Sequence, residues 1–365
     1  MRMPPFTGSY TLDDVQFLLK PMRVKNTPVH LKEALIQSGK KHYSEMLSYE
    51  SLPTDDYVAL FHAAMVLNQE RVAKHLLILA KQIIATRSHG ITLVSLARAG
   101  TPIGVLLKQV LKRHFNIDAA HYSVSIIRDV GLDQNALRFI LQHHTPKSLV
   151  FVDGWTGKGV IARQLESSLV DFAEKNNGVA IPPDLYVLTD LSGSATVAAS
   201  SDDYLIPSSV LNSTVSGLVS RSVYDPHTAD ADDFHGCVYY QQFAEQDLSA
   251  YFIETMLACV ERVWQTSTTF KAPTINRQQL QNVSQTLLQN LAKQYNISHA
   301  NYIKPGIGEA TRVLLRREAQ RVLLRDLNAE ATRHLRWLAE SKSIPITVCS
   351  DLPYQAVALI KEINL

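Results

Sequence analysis

Leu149-Val150-Phe151-Val152-Asp153-Gly154-Trp155-Thr156-Gly157-Lys158-Gly159 is the stretch whose reading decides the fold. Four consecutive apolar residues read as a buried strand, Leu149 to Val152. The glycines mark a turn, and the run from Lys158 to Val170 reads as a helix. Working outward, the same alternation recurs. Strands are predicted at Ile91 to Leu96, Tyr122 to Ile127 and Leu185 to Leu188, and helices at Pro102 to Lys112 and Asp133 to Gln142. Repeated strand–helix–strand units of this length predict a mainly parallel sheet covered on both faces. Ligands of such sheets bind beyond the carboxyl ends of the strands, which directs attention to the residues after Leu96, Ile127, Val152 and Leu188.

Residues 11–88 read as helical. Thr11 with Asp14, and Thr54 ahead of Asp55 and Asp56, resemble helix starts, and Val72, Leu76, Leu79 and Ile83 form one apolar stripe. Residues 190–236, rich in Ser, Thr and Asp, read as loops with short strands. A helix with Phe252, Met256 and Val263 on one side follows, and Thr266 to Thr274 reads as a linker. Beyond a helix marked by Leu280, Val283, Leu287 and Leu291, a compact alternation is predicted: strand 300–303, helix 306–317, strand 321–324, helix 330–341, strand 345–348, helix 353–361. The expected domains are therefore 1–265 (helical addition 1–88, core 89–265), a linker 266–275, and a small α/β/α domain 276–365.

The length of 365 residues exceeds one ordinary core and fits two domains. With 46% hydrophobic and 19% charged residues the chain reads as a globular protein, and its net charge of +2 gives no global attraction to polyanions. Any nucleic-acid surface must then be local. No secretory signal is read at Met1 to Tyr10, and no stretch approaches the ~20 apolar residues that span a bilayer. Cys237, Cys259 and Cys349 are odd in number and far apart, which argues against a disulfide framework or zinc site and for a reducing, cytoplasmic setting.

Two turns carry the chemistry. In the first, glycines 154, 157 and 159 let backbone N–H groups approach an anion at a helix start. Thr156 offers a hydroxyl, Lys158 a charge, and Asp153 a carboxylate for ribose or magnesium. The spacing matches neither G-x-x-x-x-G-K-[ST] nor G-x-G-x-x-G. The second turn is Ala97-Arg98-Ala99-Gly100-Thr101-Pro102, where Arg98 offers a guanidinium fork and Gly100 a close backbone approach. Together the turns point to a substrate with phosphates at both ends.

Ser95 to Pro102, Phe151 to Gly159, His42-Tyr43-Ser44-Glu45-Met46, His121-Tyr122-Ser123 with Ile126 to Asp129, and Val215 to Arg221 resemble the StiP family. The likeness covers most of residues 5 to 265. The resemblance implies a phosphoribosyltransferase-type α/β fold, a place in tellurite-resistance and stress operons, and a part in making a modified nucleoside. The same family also carries the label cysteine protease. As a phosphoribosyltransferase the chain would use phosphoribosyl pyrophosphate or a nucleotide with Mg2+ on Asp153. Asp153 and Arg98 would be catalytic. Ala97, Ala99, Gly100, Thr101, Arg128, Asp129, Gly154, Trp155, Thr156, Gly157, Lys158 and Gly159 would hold the substrate. One acidic residue stands before the loop where most type I enzymes have two, and Asp129 or Asp190 is a candidate for the missing carboxylate. The alternatives are a binder of nucleotide or RNA with a degenerate site, or a cysteine protease using Cys237 with His235.

At the C-terminal end, Tyr302 to Arg312 joins a strand to a helix, with Gly306 and Gly308 at the turn. The segment from about 295 to 362 resembles the Pelota-type RNA-binding domain, whose G-x-N-E-x-x-K signature is approached by Gly306, Gly308, Glu309 and Arg312. Gly308 stands where asparagine is usual. Lys304, Gly306, Gly308, Glu309, Arg312 and Arg316 are the expected RNA contacts.

Overall fold

The computed structural model describes residues 5–227, 229–267 and 269–363. Residues 1–4 of the stretch read for a signal, and residue 268 of the expected linker, lie outside them. The first sheet has six strands: β1 (Gln16–Leu18), β2 (Thr92–Leu96), β3 (Ala120–Val124), β4 (Leu149–Thr156), β5 (Leu185–Asp190) and β6 (Val197–Ala198). They run β1-β3-β2-β4-β5-β6, every neighbouring pair parallel. Both faces are covered, as the unbroken apolar strands require. Successive residues of the central strands serve opposite sides. Leu93, Val150 and Val152 join the cluster beneath helices α2 (Asp55–Thr86), α3 (Gly100–Phe115) and α6 (Ser249–Thr266). Val94, Leu149 and Phe151 join the one beneath α4 (Gln134–Leu141) and α5 (Val160–Lys175).

The helical reading of residues 11–88 needs correction. Only α1 (Val29–Gln37) and α2 are α-helices there, the latter capped by Thr54, whose hydroxyl oxygen accepts the Tyr57 N–H at 3.4 Å. The Thr11 hydroxyl does reach Asp14 at 2.7 Å, but it closes a turn. Phe17 and Leu18 are fully buried in opposite clusters, a period of two that fits a strand and not a helix turn, so the segment becomes the edge strand β1.

The second sheet has four strands, ordered β7-β10-β8-β9: β7 (Ile303–Pro305), β8 (Ala319–Leu324), β9 (Ile346–Val348) and β10 (Ala356–Ile360). Here too one expectation fails. Residues 353–361 were read as a helix, yet β10 runs between β7 and β8, antiparallel to both. Its five residues are buried, with Ala356, Ala358 and Ile360 on the side of α8 (Ile307–Arg316) and α9 (Arg333–Ser341). Val357 and Leu359 face α7 (Arg277–Gln294).

The two sheets share one apolar cluster, in which Tyr204, Ile206 and Val210 meet Ile307, Val313 and Leu335. Polar contacts reinforce it. Asp203 accepts the N–H groups of Ile307 and Gln355, and the Tyr354 hydroxyl donates to the Leu191 carbonyl at 2.7 Å. Glu33, wholly buried, receives Arg317, and Lys32 donates to the Arg316 carbonyl at 3.1 Å. Among the described residues no helix is long and apolar enough to cross a membrane.

Candidate functional site

β4 runs further than its apolar run predicts. Trp155 and Thr156 pair with Thr189 and Asp190 of β5, so the turn expected from Asp153 shrinks to Gly157, Lys158 and Gly159. Gly159 has φ 74°, and a Cβ there would stand 2.8 Å from that of Ser194, which explains glycine at the entry to α5. The Thr156 hydroxyl donates to the Asp190 carboxylate and is not a free ligand. Asp190 also accepts the N–H groups of Ser192 and Ala195, so it is no spare carboxylate for a ribose or metal. Gly154 donates its N–H to Asp153 Oδ1 at 2.8 Å. Burial pushes the Asp153 carboxyl up to about 6, against the pull of Arg312.

The turn after β2 lies directly against β4. A Cβ on Gly100 would stand 2.3 Å from the Val152 carbonyl oxygen, so glycine is needed for this approach. Ala97, Arg98 and Ala99 face the space beyond, whereas Thr101 is buried and bonded to the Ser123 hydroxyl at 2.8 Å. Arg98 is also nearly buried. It donates to Asn212 Oδ1 at 2.5 Å and lies 3.7 Å from Glu50.

Beyond both turns a cleft of about 300 Å³ separates the sheets. Arg98, Asp153, Thr156 and Lys158 line it from one side, and Lys304, Glu309, Arg312 and Arg316 from the other. The two turns therefore open onto one space, and the segment read as a separate RNA surface forms its opposite wall. Tyr43 stands at one end, its ring between the guanidinium groups of Arg128 (5.1 Å) and Arg221 (5.4 Å), its hydroxyl accepting the Arg128 N–H. Arg128 Nε meets Asp129 at 3.0 Å, and Asp129 is an exposed partner that does not line the cleft. Lys158 donates to the carbonyls of Ala300 and Ile303, a bond from the first sheet's turn to the second unit. Burial, assisted by Lys304, lowers its ammonium to about 6. Burial likewise lowers Lys304 to about 8, Arg317 adding to the effect.

The glycines of the C-terminal turn face inward. Ile307, between them, gives its N–H to Asp203, and a Cβ on Gly308 would meet the Trp155 ring at 2.4 Å. Arg312 covers that ring at 4.4 Å from its centroid and pairs with Glu309 at 2.6 Å. Trp155 is thus a packing residue and not a free stacking platform, with Gly308 packed on it and Gly306 buried against Leu191. Lys304, Glu309, Arg312 and Arg316 remain at the cleft. Glu50 and Asn212 were missed as site residues, whereas Tyr43 and Arg221 stand in segments singled out in the sequence without a role assigned to them. Asn212 and Arg221 come from the Ser/Thr/Asp-rich segment, where no periodicity marks them.

The Cys237/His235 pair, an alternative in the sequence reading, does not form. Cys237 is fully buried among apolar side chains, and burial pushes its thiol far above the ordinary range. The His235 ring is engaged by the Ser125 hydroxyl at 2.8 Å and by Tyr224. Cys259 is buried and Cys349 half-buried. Among the described residues no three His, Cys, Asp or Glu side chains gather as a metal site, so magnesium at Asp153 would rest on that carboxylate.

A family model described as "Tellurite-like stress resistance cysteine protease StiP" matches residues 8–257, and one described as "PELOTA RNA binding domain" matches residues 282–362. The Cysteine protease StiP of Acinetobacter baylyi (strain ATCC 33305 / BD413 / ADP1) is 42% identical over 369 residues, covering 98% of this chain and 95% of that protein. Among solved structures, the hypoxanthine phosphoribosyltransferase of Trypanosoma cruzi aligns at TM-score 0.26 and 11% identity, over 38% of this chain and 82% of that one. The xanthine-guanine-hypoxanthine phosphoribosyltransferase of Helicobacter pylori aligns at 0.21 and 18%, over 34% and 76%. Likenesses this low carry no argument about activity. The expectation of phosphoribosyl transfer is corrected by the family description, which names a cysteine protease and no glycosyl transfer. Phosphoribosyl pyrophosphate falls with it as the expected partner.

Proposed function

Since this chain belongs to the StiP family, we propose that it serves stress resistance and that its working site is the cleft between the sheets, where it binds RNA. The carrying observation is the convergence of Arg98, Arg128, Lys158, Arg221, Lys304, Arg312 and Arg316 on one space lined by few carboxylates. A phosphate backbone is the ligand that such a local concentration of cations suits, in a chain whose net charge is only +2. The Pelota match over residues 282–362 supports RNA as the source of those phosphates. With the glycine turn closed against Trp155, recognition would run through phosphates and not bases.

Neutralising Arg312 and Arg316 together as glutamine is expected to weaken binding of single-stranded oligouridine. The slope of log affinity against log salt should fall by about 1 to 1.5, since each phosphate contact on a single strand contributes about 0.7. Filter binding over a salt series reads both. An unchanged affinity and slope would refute the proposal.

A pH dependence follows from the lysines. Lys158 and Lys304, held down to about 6 and about 8, are partly neutral in the free protein near neutrality. A bound polyanion raises both, so binding takes up protons, and affinity is expected to fall as pH rises from about 6 to 9. For folding the sign is opposite. The unfolded chain, with ordinary lysines, holds more protons over this window, so these two groups make the fold more stable as pH rises. Oligouridine titrations at stepped pH test the first effect, and a flat profile counts against it.

Cysteine proteolysis, in the printed description of the family and of the Acinetobacter relative, requires a thiolate beside a base. Among the described residues none of the three thiols is hydrogen-bonded to a histidine, and none lines the cleft. The geometry therefore favours binding over proteolysis as the work of this site.

A further inference from the structure

We propose that a second pocket, sharing the Arg98 and Arg316 side chains with the cleft, binds a small anion with a flat apolar body. The pocket encloses about 300 Å³, at the lower end of the range that small-molecule sites occupy. Its walls come from both halves of the chain. Leu52 and Tyr57 belong to the first half, Leu315 and Trp337 to the second. Trp337 lies 5.2 Å from Tyr57, centroid to centroid, at 34°, and the Tyr57 hydroxyl is fixed by its bond to the Val210 carbonyl at 2.9 Å. These rings and aliphatic side chains provide an apolar, flat-sided wall that a bare inorganic ion would leave unused.

The charged end of the pocket holds more cations than counter-charge. Asn212 Oδ1 accepts from Arg98 Nη2 at 2.5 Å and from Arg316 Nε at 2.9 Å, so two guanidinium cations share one neutral oxygen. Lys32, nearly fully buried, likewise gives its ammonium to neutral acceptors, the Ser48 hydroxyl and the Arg316 carbonyl. The one lining carboxylate, Glu50, is already engaged. It accepts both the N–H and the hydroxyl of Ser213, and it stands 3.7 Å from Arg98. Enclosed cations with so little counter-charge are costly, and a carboxylate or phosphomonoester would supply the paired oxygens that guanidinium groups prefer. Burial, with Arg221 adding to it, lowers the Lys32 ammonium to about 7, and an anion bound beside it would raise it again. The head group and the apolar body thus have separate places in one cavity, and the inference does not depend on what the neighbouring cleft binds.

Calorimetric titration of the full chain with 2-naphthoate, 1-naphthyl phosphate and the uncharged 2-naphthalenemethanol tests it. One or both anions should bind at a single site, at least about tenfold more tightly than the alcohol, as charge-assisted hydrogen bonds imply. Whichever anion binds better identifies the head group. Leu52→Trp fills the half-exposed rim, and Trp337→Ala removes one flat wall. At least about tenfold weakening is expected in each, with folding checked by circular dichroism, and a loss in whichever variant folds upholds the site. Absence of binding by both anions, equal affinity for the alcohol, or full affinity retained in the folded variants would overturn it.

Discussion

Arg317→Met is expected to lower the unfolding free energy by about 3 to 5 kcal/mol, the cost of stranding a buried charge. Arg317 Nη2 meets Glu33 Oε2 at 2.8 Å, and its Nε contacts the other oxygen, so the pair is bidentate. Glu33 lies at 0% exposure in α1, and the methionine stem would leave its carboxylate enclosed with only Gln37, at 3.5 Å, donating to it. The pair also joins the N-terminal region to the end of α8, so the loss should loosen the seam between the sheets. Urea unfolding measures the effect. The double variant Glu33→Gln with Arg317→Met should recover most of the loss, because no charge is then buried alone. A loss below about 1 kcal/mol for the single variant would class the pair with surface ion pairs and contradict its assignment as a buried tie.

Gly308→Asn, which would restore the residue usual in the Pelota signature, is expected to destabilise the chain by about 2 to 3 kcal/mol, the cost of overpacking a filled site. Its Cβ would meet the Trp155 ring at 2.4 Å, with a second ring atom at 2.6 Å, and Arg312 holds the same ring at 4.4 Å from its centroid. An indole wedged among these neighbours has little freedom to retreat. The variant should gain no affinity for RNA, since the asparagine amide would face Trp155 and not solvent. Combining it with Trp155→Ala should remove much of the penalty, so the two changes are strongly non-additive in thermal unfolding. If Gly308→Asn melted like the parent and bound oligouridine more tightly, the inward-facing turn would be wrong.

Both predictions concern the seam, which is the part of the molecule least legible in the chain. The four central strands of the parallel sheet were readable because buried strands are continuous apolar runs separated by glycine-marked turns, as at Leu149 to Gly159. The short strand at Gln16–Leu18 was hidden, since three residues are too few to show a period. β10 was misread because Ala356 to Ile360, buried on both sides, has no polar face to betray its alternation. Half of the candidate site was visible as Arg98 and the turn around Lys158. Tyr43, Asn212 and Arg221 were given no role there, because they reach the cleft from segments whose course depends on packing elsewhere. The quoted motifs correctly pointed to the family, but the phosphoribosyl activity drawn from them was overturned by the family's own description.

The sequence alone determined the four central strands, the two turns at their ends and the capped start of α2, since each depends on residues within about one turn or one strand of each other. Tertiary structure alone decided that Gly306 packs on Leu191 and Gly308 on Trp155, that Arg98 and Arg316 share Asn212, and that two expected sites are one cleft. Those contacts join residues at least 104 positions apart, the separation of Asn212 and Arg316. Local propensity carries no signal across such a separation, and only the burial of a shared apolar core brings the partners together.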